Sequence, residues 1–133
     1  MYESYLTEFK GNPGIDGEKL SSLGVPPRVP ADYLEFLKQF DGGEGFIGQE
    51  HIVLYQAESL ARINKTHRVS EYVPDIYIFG SNGSSEALAF DFRSTPSTYV
   101  LIPFLLDYKD VLELAPSLEG LFSRIASVGL IRK

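Results

Sequence analysis

Apolar and polar positions along this chain follow two periods, one helical and one strand-like. Tyr33, Phe36, Leu37 and Phe40 recur at i, i+3, i+4 and i+7, the spacing of one face of an α-helix. Leu34 widens that stripe, while Asp32, Glu35, Lys38 and Gln39 fall on the opposite side. Pro30 suits the first helical position, where a missing N–H costs nothing. Gly42 and Gly43 offer the left-handed conformation in which helices commonly stop, so the pattern predicts a helix leaving through a glycine loop. Tyr2, Tyr5, Leu6 and Phe9 repeat the spacing and predict a short N-terminal helix, broken by the GNPGIDG stretch. Residues 18–23 have room for one or two helical turns before Gly24. The proline-rich residues 25–30 must then be extended, because residues preceding proline avoid the α region.

Beyond residue 45 the period shortens. Residues 46–47 and 52–55 predict short strands, and 57–69 returns to helical character with Leu60, Ile63 and His67 near one face. Arg62, Lys65 and Arg68 on that helix form the one dense basic group of the sequence. Residues 76–79 are a strand by composition, followed by Ser81-Asn82-Gly83-Ser84, a turn signal because Asn-Gly tolerates positive φ. Leu88, Phe90 and Phe92 then alternate with Ala87, Ala89 and Asp91, and 99–104 forms the next strand. Residues 111–114 make either a short edge strand or the lead into the last helix. In that helix Leu118, Leu121, Phe122 and Ile125 share one face, with Ser117 placed to cap it. The order predicts an α+β domain: an antiparallel sheet of about four to six strands packed with N-terminal, middle and C-terminal helices. The connections between strands are too short for parallel crossovers.

A chain of 133 residues, 44% hydrophobic and 23% charged, fits a single domain spanning 1–133 with its own core. No run has the length of a transmembrane helix, and the opening MYESYLTEFK carries no signal-peptide pattern. The absence of cysteine removes disulfides and thiolate metal sites, and agrees with a cytoplasmic address. A formal charge of −6 argues against general nucleic-acid binding, which needs a basic surface to displace counterions. The same field speeds encounter with a basic protein.

Catalytic and cofactor patterns fail one after another. Glu50-His51 lacks the second histidine of a zinc-protease motif, since Tyr55 stands where the ligand is required. His51 and His67 are unplaced by spacing and make no metal motif. The carboxylates of Asp41 and Glu44 lie three residues apart without the alternating oxygen ligands of a calcium loop. Gly80-Ser81-Asn82-Gly83 lacks the Lys-Ser/Thr ending of a phosphate loop and reads as a hairpin turn. There is no Gly-x-Ser-x-Gly elbow and no thiol nucleophile. The reading therefore expects no enzyme and no cofactor.

One ordered set of residues carries a resemblance. Leu23-Gly24, then Pro30-x-x-Tyr33-x-x-Phe36-Leu37, then Asp41-Gly42-Gly43-Glu44-Gly45 resembles the SUKH superfamily, the Smi/Knr-type domain. Asn64 in the middle helix, Phe79-Gly80 before Asn82-Gly83, residues 86–91 and the closing helix also match, so the resemblance covers about residues 20–126. Asp41 stands where asparagine is more usual, and tryptophan is absent. The resemblance implies an α+β fold without a known catalytic constellation. Many bacterial members resemble immunity proteins, which bind and neutralise polymorphic toxins, often nucleases; others are regulators or small-ligand-binding modules. The aromatic and glycine signature residues are fold determinants on this reading rather than binding residues.

One surface feature stands above background. Between residues 32 and 58 lie six acids (Asp32, Glu35, Asp41, Glu44, Glu50, Glu58) against one base, Lys38, a net of −5 within a chain of −6. A solvated helix face and loop would account for it. The functional expectation is that Asp41, Glu44, Glu50 and Glu58 meet Lys and Arg on a basic toxin domain. Rim charges of that kind raise association rate, while a few buried aromatics carry affinity.

Overall fold

Among the described residues seven antiparallel strands form one sheet whose spatial order is their order in the chain. They are β1 (Glu8–Pro13), β2 (Phe40–Ile47), β3 (Glu50–Leu54), β4 (Ile76–Ser81), β5 (Glu86–Asp91), β6 (Thr98–Pro103) and β7 (Leu112–Ala115). Helices α1 (Gly17–Ser22) and α2 (Ala31–Gln39) lie between β1 and β2, α3 (Leu60–Thr66) and α4 (Val69–Tyr72) between β3 and β4, and α5 (Leu118–Val128) follows β7. The computed structural model of the chain describes residues 2–130. The α+β architecture and the antiparallel pairing follow the periodicity, with seven strands where about four to six were expected.

The differences have physical causes. Tyr2 to Phe9 forms only one 3-10 turn, Glu3–Leu6, before the chain straightens into β1. Tyr2 and Phe9 both reach the core from there, Tyr2 by meeting the rings of Phe36 and Phe122 edge-on. The glycine run after α2 is not a helix exit. Phe40 is already extended, and α2 passes directly into β2. Gly43 and Gly45 sit inside that strand at φ +147° and +151°, a region L side chains rarely adopt. A Cβ at Gly43 would lie 2.3 Å from the Lys10 carbonyl oxygen, and one at Gly45 2.4 Å from that of Glu8. Glycine here lets β1 and β2 approach, which is why a segment poor in β-formers still pairs. The expected helix over 57–69 is also divided. Arg68 adopts φ +56° and separates α3 from α4. Of residues 111–114, for which the sequence allows strand or helix lead-in, all but Val111 belong to the edge strand β7 (Leu112–Ala115).

Two apolar layers sandwich part of the sheet. Tyr33, Phe36 and Leu37 of α2 and Leu118, Leu121, Phe122 and Ile125 of α5 pack with Ile52, Phe79, Leu88, Phe90 and Tyr99 on one face. On the opposite face Val69 and Val73 pack against Ile76, Ile78, Ala87, Ala89, Val100 and Ile102. Ala87 and Ala89 of β5 face this second layer, while Leu88 and Phe90 of the same strand fill the first. This second layer covers β4 to β6 and stops there. Among the described residues no helix lies over the outer face of β1 to β3, only α3 along its border.

Asn64 fixes that border. Only Val53↔Ser81 and Leu54↔Gly80 pair β3 with β4, so Ile78 lacks a strand partner on that side. The Asn64 amide supplies one: its Oδ1 accepts from the Ile78 amide at 2.8 Å, and its Nδ2 donates to the Ile78 carbonyl at 2.9 Å. The same Nδ2 donates to the Leu60 carbonyl, so a buried side chain joins α3 to β4.

Candidate docking face

The uncovered face of β1 to β3 forms an open groove of about 730 Å³. Alternation along the strands decides what faces it. Glu8, Lys10 and Asn12 of β1, Glu44 and Phe46 of β2, and His51 and Val53 of β3 line its floor, with Arg62 and Ile63 of α3 at the lip. Register brings Glu8, Phe46 and His51 into one row and Lys10, Glu44 and Val53 into the next. Phe46 remains 47% exposed, a large aromatic left in water by its own fold. His51 meets its ring edge-on with centroids 5.3 Å apart, and its Nε2 lies 3.6 Å from Oε2 of Glu44.

The four carboxylates singled out by sequence do not share one surface. Glu44 alone of them lines the groove. Asp41 turns its Oδ1 to the Ala57 backbone N–H at 2.8 Å, at the start of the short 3-10 turn that precedes α3. Glu50 accepts the Leu130 backbone N–H at 3.0 Å and so ties the end of α5 to the sheet. Glu58 pairs with Lys19 at 3.5 Å on the surface. Asp32, from the same acidic stretch, is committed to the core connections of α2 and α5. The charge density read along the chain is thus divided among backbone contacts, one surface pair and the groove.

Glu8, Lys10, Phe46 and Arg62 were not singled out as site residues. Their signal was present in the residue types at i and i+2, but it becomes legible only when GGEGFI is taken as a strand rather than a loop. No ion pair engages Glu8, Lys10 or Arg62 among the described residues, whereas Lys19, Lys38, Arg68, Arg93 and Lys109 elsewhere on the surface are each paired. A second hollow of about 510 Å³ holds Tyr72 and the 88%-exposed Leu105 beside His67 and Phe104. The charges that line it are already paired, Lys109 with Asp110 and Asp107. Of these two hollows, the groove keeps uncommitted charge around an exposed ring among the described residues.

The buried tyrosines do structural work. Burial pushes the Tyr99 hydroxyl pKa up, and the Asp32 carboxylate beside it adds to the shift, so Tyr99 stays protonated and donates. Burial also raises the pKa of Tyr33, with the charge of Asp41 contributing. Among the described residues no group of three or more His, Asp or Glu is arranged to hold a metal ion, and no helix is long and apolar enough to cross a membrane.

No curated protein sequence matches the chain. The sequence model of the SMI1 / KNR4 family (SUKH-1) matches residues 21–124, from the end of α1 into α5. That span takes in α2, the glycine-bearing β2, the Asn64 clasp and the β4–β5 hairpin, the features on which the fold rests. The chain belongs to the SMI1 / KNR4 family (SUKH-1).

Proposed function

We propose that this chain is a noncatalytic protein-binding domain, an immunity protein acting in the bacterial cytoplasm that neutralises a cognate polymorphic toxin by docking to it. The observation that carries the reading is the uncovered face of β1 to β3, where Phe46 is half-exposed beside Glu8, Lys10 and Arg62, which have no ion pair among the described residues. A half-exposed aromatic ringed by polar groups is the usual anatomy of a protein interface. The net charge of −6 supports a basic toxin domain as the partner, since opposite fields accelerate encounter. The groove is open and several charged side chains line it, unlike the enclosed apolar cleft that a small-ligand module uses.

The test is co-expression with the toxin domain encoded next to this chain's gene. Cells carrying both should grow where cells carrying the toxin alone do not, and the purified pair should co-elute. Unrelieved toxicity, or a toxin neutralised without complex formation, would sink the docking reading.

A further inference from the structure

The chain repeatedly builds one kind of contact, a guanidinium lying over an aromatic ring. Arg93 sits 4.5 Å from the Tyr108 ring centroid while its guanidinium pairs with Asp91 at 2.8 Å. Arg68 sits 5.8 Å from the Tyr72 centroid and pairs with Glu71 at 2.7 Å. Arg28 lies 5.9 Å from the centroid of Phe92 and donates to backbone carbonyls there. Planar, delocalised arginine suits this arrangement because it can stack through its face and donate hydrogen bonds in its plane at once.

Phe46 has the ring and the carboxylates of the same arrangement. Glu8 stands directly opposite it on β1, and Glu44 stands two residues before it on the same side of β2. Directly opposed residues hold their Cβ atoms about 5 Å apart, within reach of one bound guanidinium. Among the described residues Glu8 has no ion-pair partner and no cation lies over the Phe46 ring. The other charges facing this spot are Lys10, opposite Glu44 in register, His51 beside Glu44, and Arg62 at the lip of the groove.

We propose that this face recognises an arginine side chain of the protein partner, stacked on Phe46 and paired with Glu8 and Glu44. The proposal rests on the docking reading above and names the chemistry of its contact. Lys10 and Arg62 then face acidic or polar groups beside that arginine, which selects against a uniformly basic surface and gives the partner an orientation.

The experiment titrates the ¹⁵N-labelled chain with two short, end-blocked peptides that differ only in carrying arginine or lysine. The arginine peptide should give saturable shifts at Glu8, Glu44, Phe46 and His51, with affinity about threefold or more above that of the lysine peptide. Phe46→Ala and Glu8→Gln should each remove that preference, and Phe46→Trp should keep it. Equal affinity for the two peptides, shifts spread over the whole acidic surface, or a preference unchanged in Phe46→Ala would overturn the proposal. The co-expression assay separates the two readings. If the wild-type chain protects and Phe46→Ala does not, yet the peptides are not distinguished, docking stands and the arginine contact falls. If the wild-type chain gives no protection, the docking reading itself falls.

Discussion

The Asp32 carboxylate accepts the Tyr99 hydroxyl at 2.6 Å through Oδ1, and its other oxygen accepts the Leu118 backbone N–H at 2.8 Å. One side chain in the first turn of α2 thereby holds β6 and the N-terminus of α5, partners 67 and 86 residues away in the chain. Its negative charge also sits where the α5 dipole favours it. Ser117 caps the same helix by accepting the Gly120 N–H at 3.1 Å. The two contacts satisfy separate donors of the first turn.

Asp32→Ala should lower unfolding free energy by about 2–4 kcal/mol, because hydrogen bonds to a charged group are worth about 1.5–3 kcal/mol each. Tyr99→Phe should cost less, about 1–2 kcal/mol, since Leu118 still occupies the other oxygen. Tyr33→Phe makes the contrast: the Tyr33 hydroxyl is buried with no hydrogen-bond partner among the described residues, so its removal should leave stability unchanged or raise it. Urea melts of the three variants check the order. Equal losses for Tyr33→Phe and Tyr99→Phe would contradict it.

Asn64→Ala removes the donor and acceptor that stand in for a strand beside Ile78. Two buried backbone groups are then unsatisfied, and the expected loss is about 2–4 kcal/mol. Hydrogen exchange at the Ile78 amide should accelerate more than at the amides of β5. An unchanged Ile78 rate would show that β4 is held by its hairpin partner alone.

Gly45→Ala places a methyl group 2.4 Å from the Glu8 carbonyl oxygen at a φ of +151°. Steric and backbone strain should together cost about 3 kcal/mol or more and loosen β1 from β2. Gly24→Ala also has positive φ, +66°, but meets nothing within 4 Å, so about 1 kcal/mol is expected. Thermal melts of the pair separate crowding from conformation. Similar costs at the two sites would argue against the close approach as the reason for glycine.

Asp91 gives an acid limb to stability. Burial of its carboxylate raises the pKa, and the hydrogen bonds and charge of Arg93 more than offset that, so the net shift is downward. A carboxylate with a depressed folded pKa contributes stability that is complete above its unfolded value, about 3.9, and is lost as pH falls through the lower folded value. Asp91→Asn should therefore destabilise at neutral pH and show a shallower decline between about pH 5 and 2. Parallel acid limbs for the two proteins would exclude this pair as a contributor.

Much of the fold was legible because it rests on local pattern. The alternation Leu88, Ala89, Phe90 assigned large residues to one layer and small ones to the other, and the structure keeps that division. The helical spacing of Leu118, Leu121, Phe122 and Ile125 likewise became the buried face of α5. The same rule misled at Tyr2 to Phe9, where four apolar residues at helical spacing end in a strand. Periodicity there competed with pairing to β2, and tertiary pairing won.

The candidate face was less legible for a related reason. Glu44 was identified from charge density, but Glu8 and Lys10 lie far from it in the chain and meet it only through β1–β2 register. Asp41 and Glu50 looked equivalent to Glu44 in sequence, yet backbone N–H groups brought in by folding engage them.

By itself the sequence determined the class of architecture, the helix faces, the turn at Asn82-Gly83 and the family signature, because these depend on neighbours within a few residues. The tertiary structure decided which carboxylates are spent on backbone donors, which ring stays in solvent and where the second layer of helices stops. Those outcomes depend on register and on which face a strand turns inward, and a one-residue slip would reverse every side chain along it.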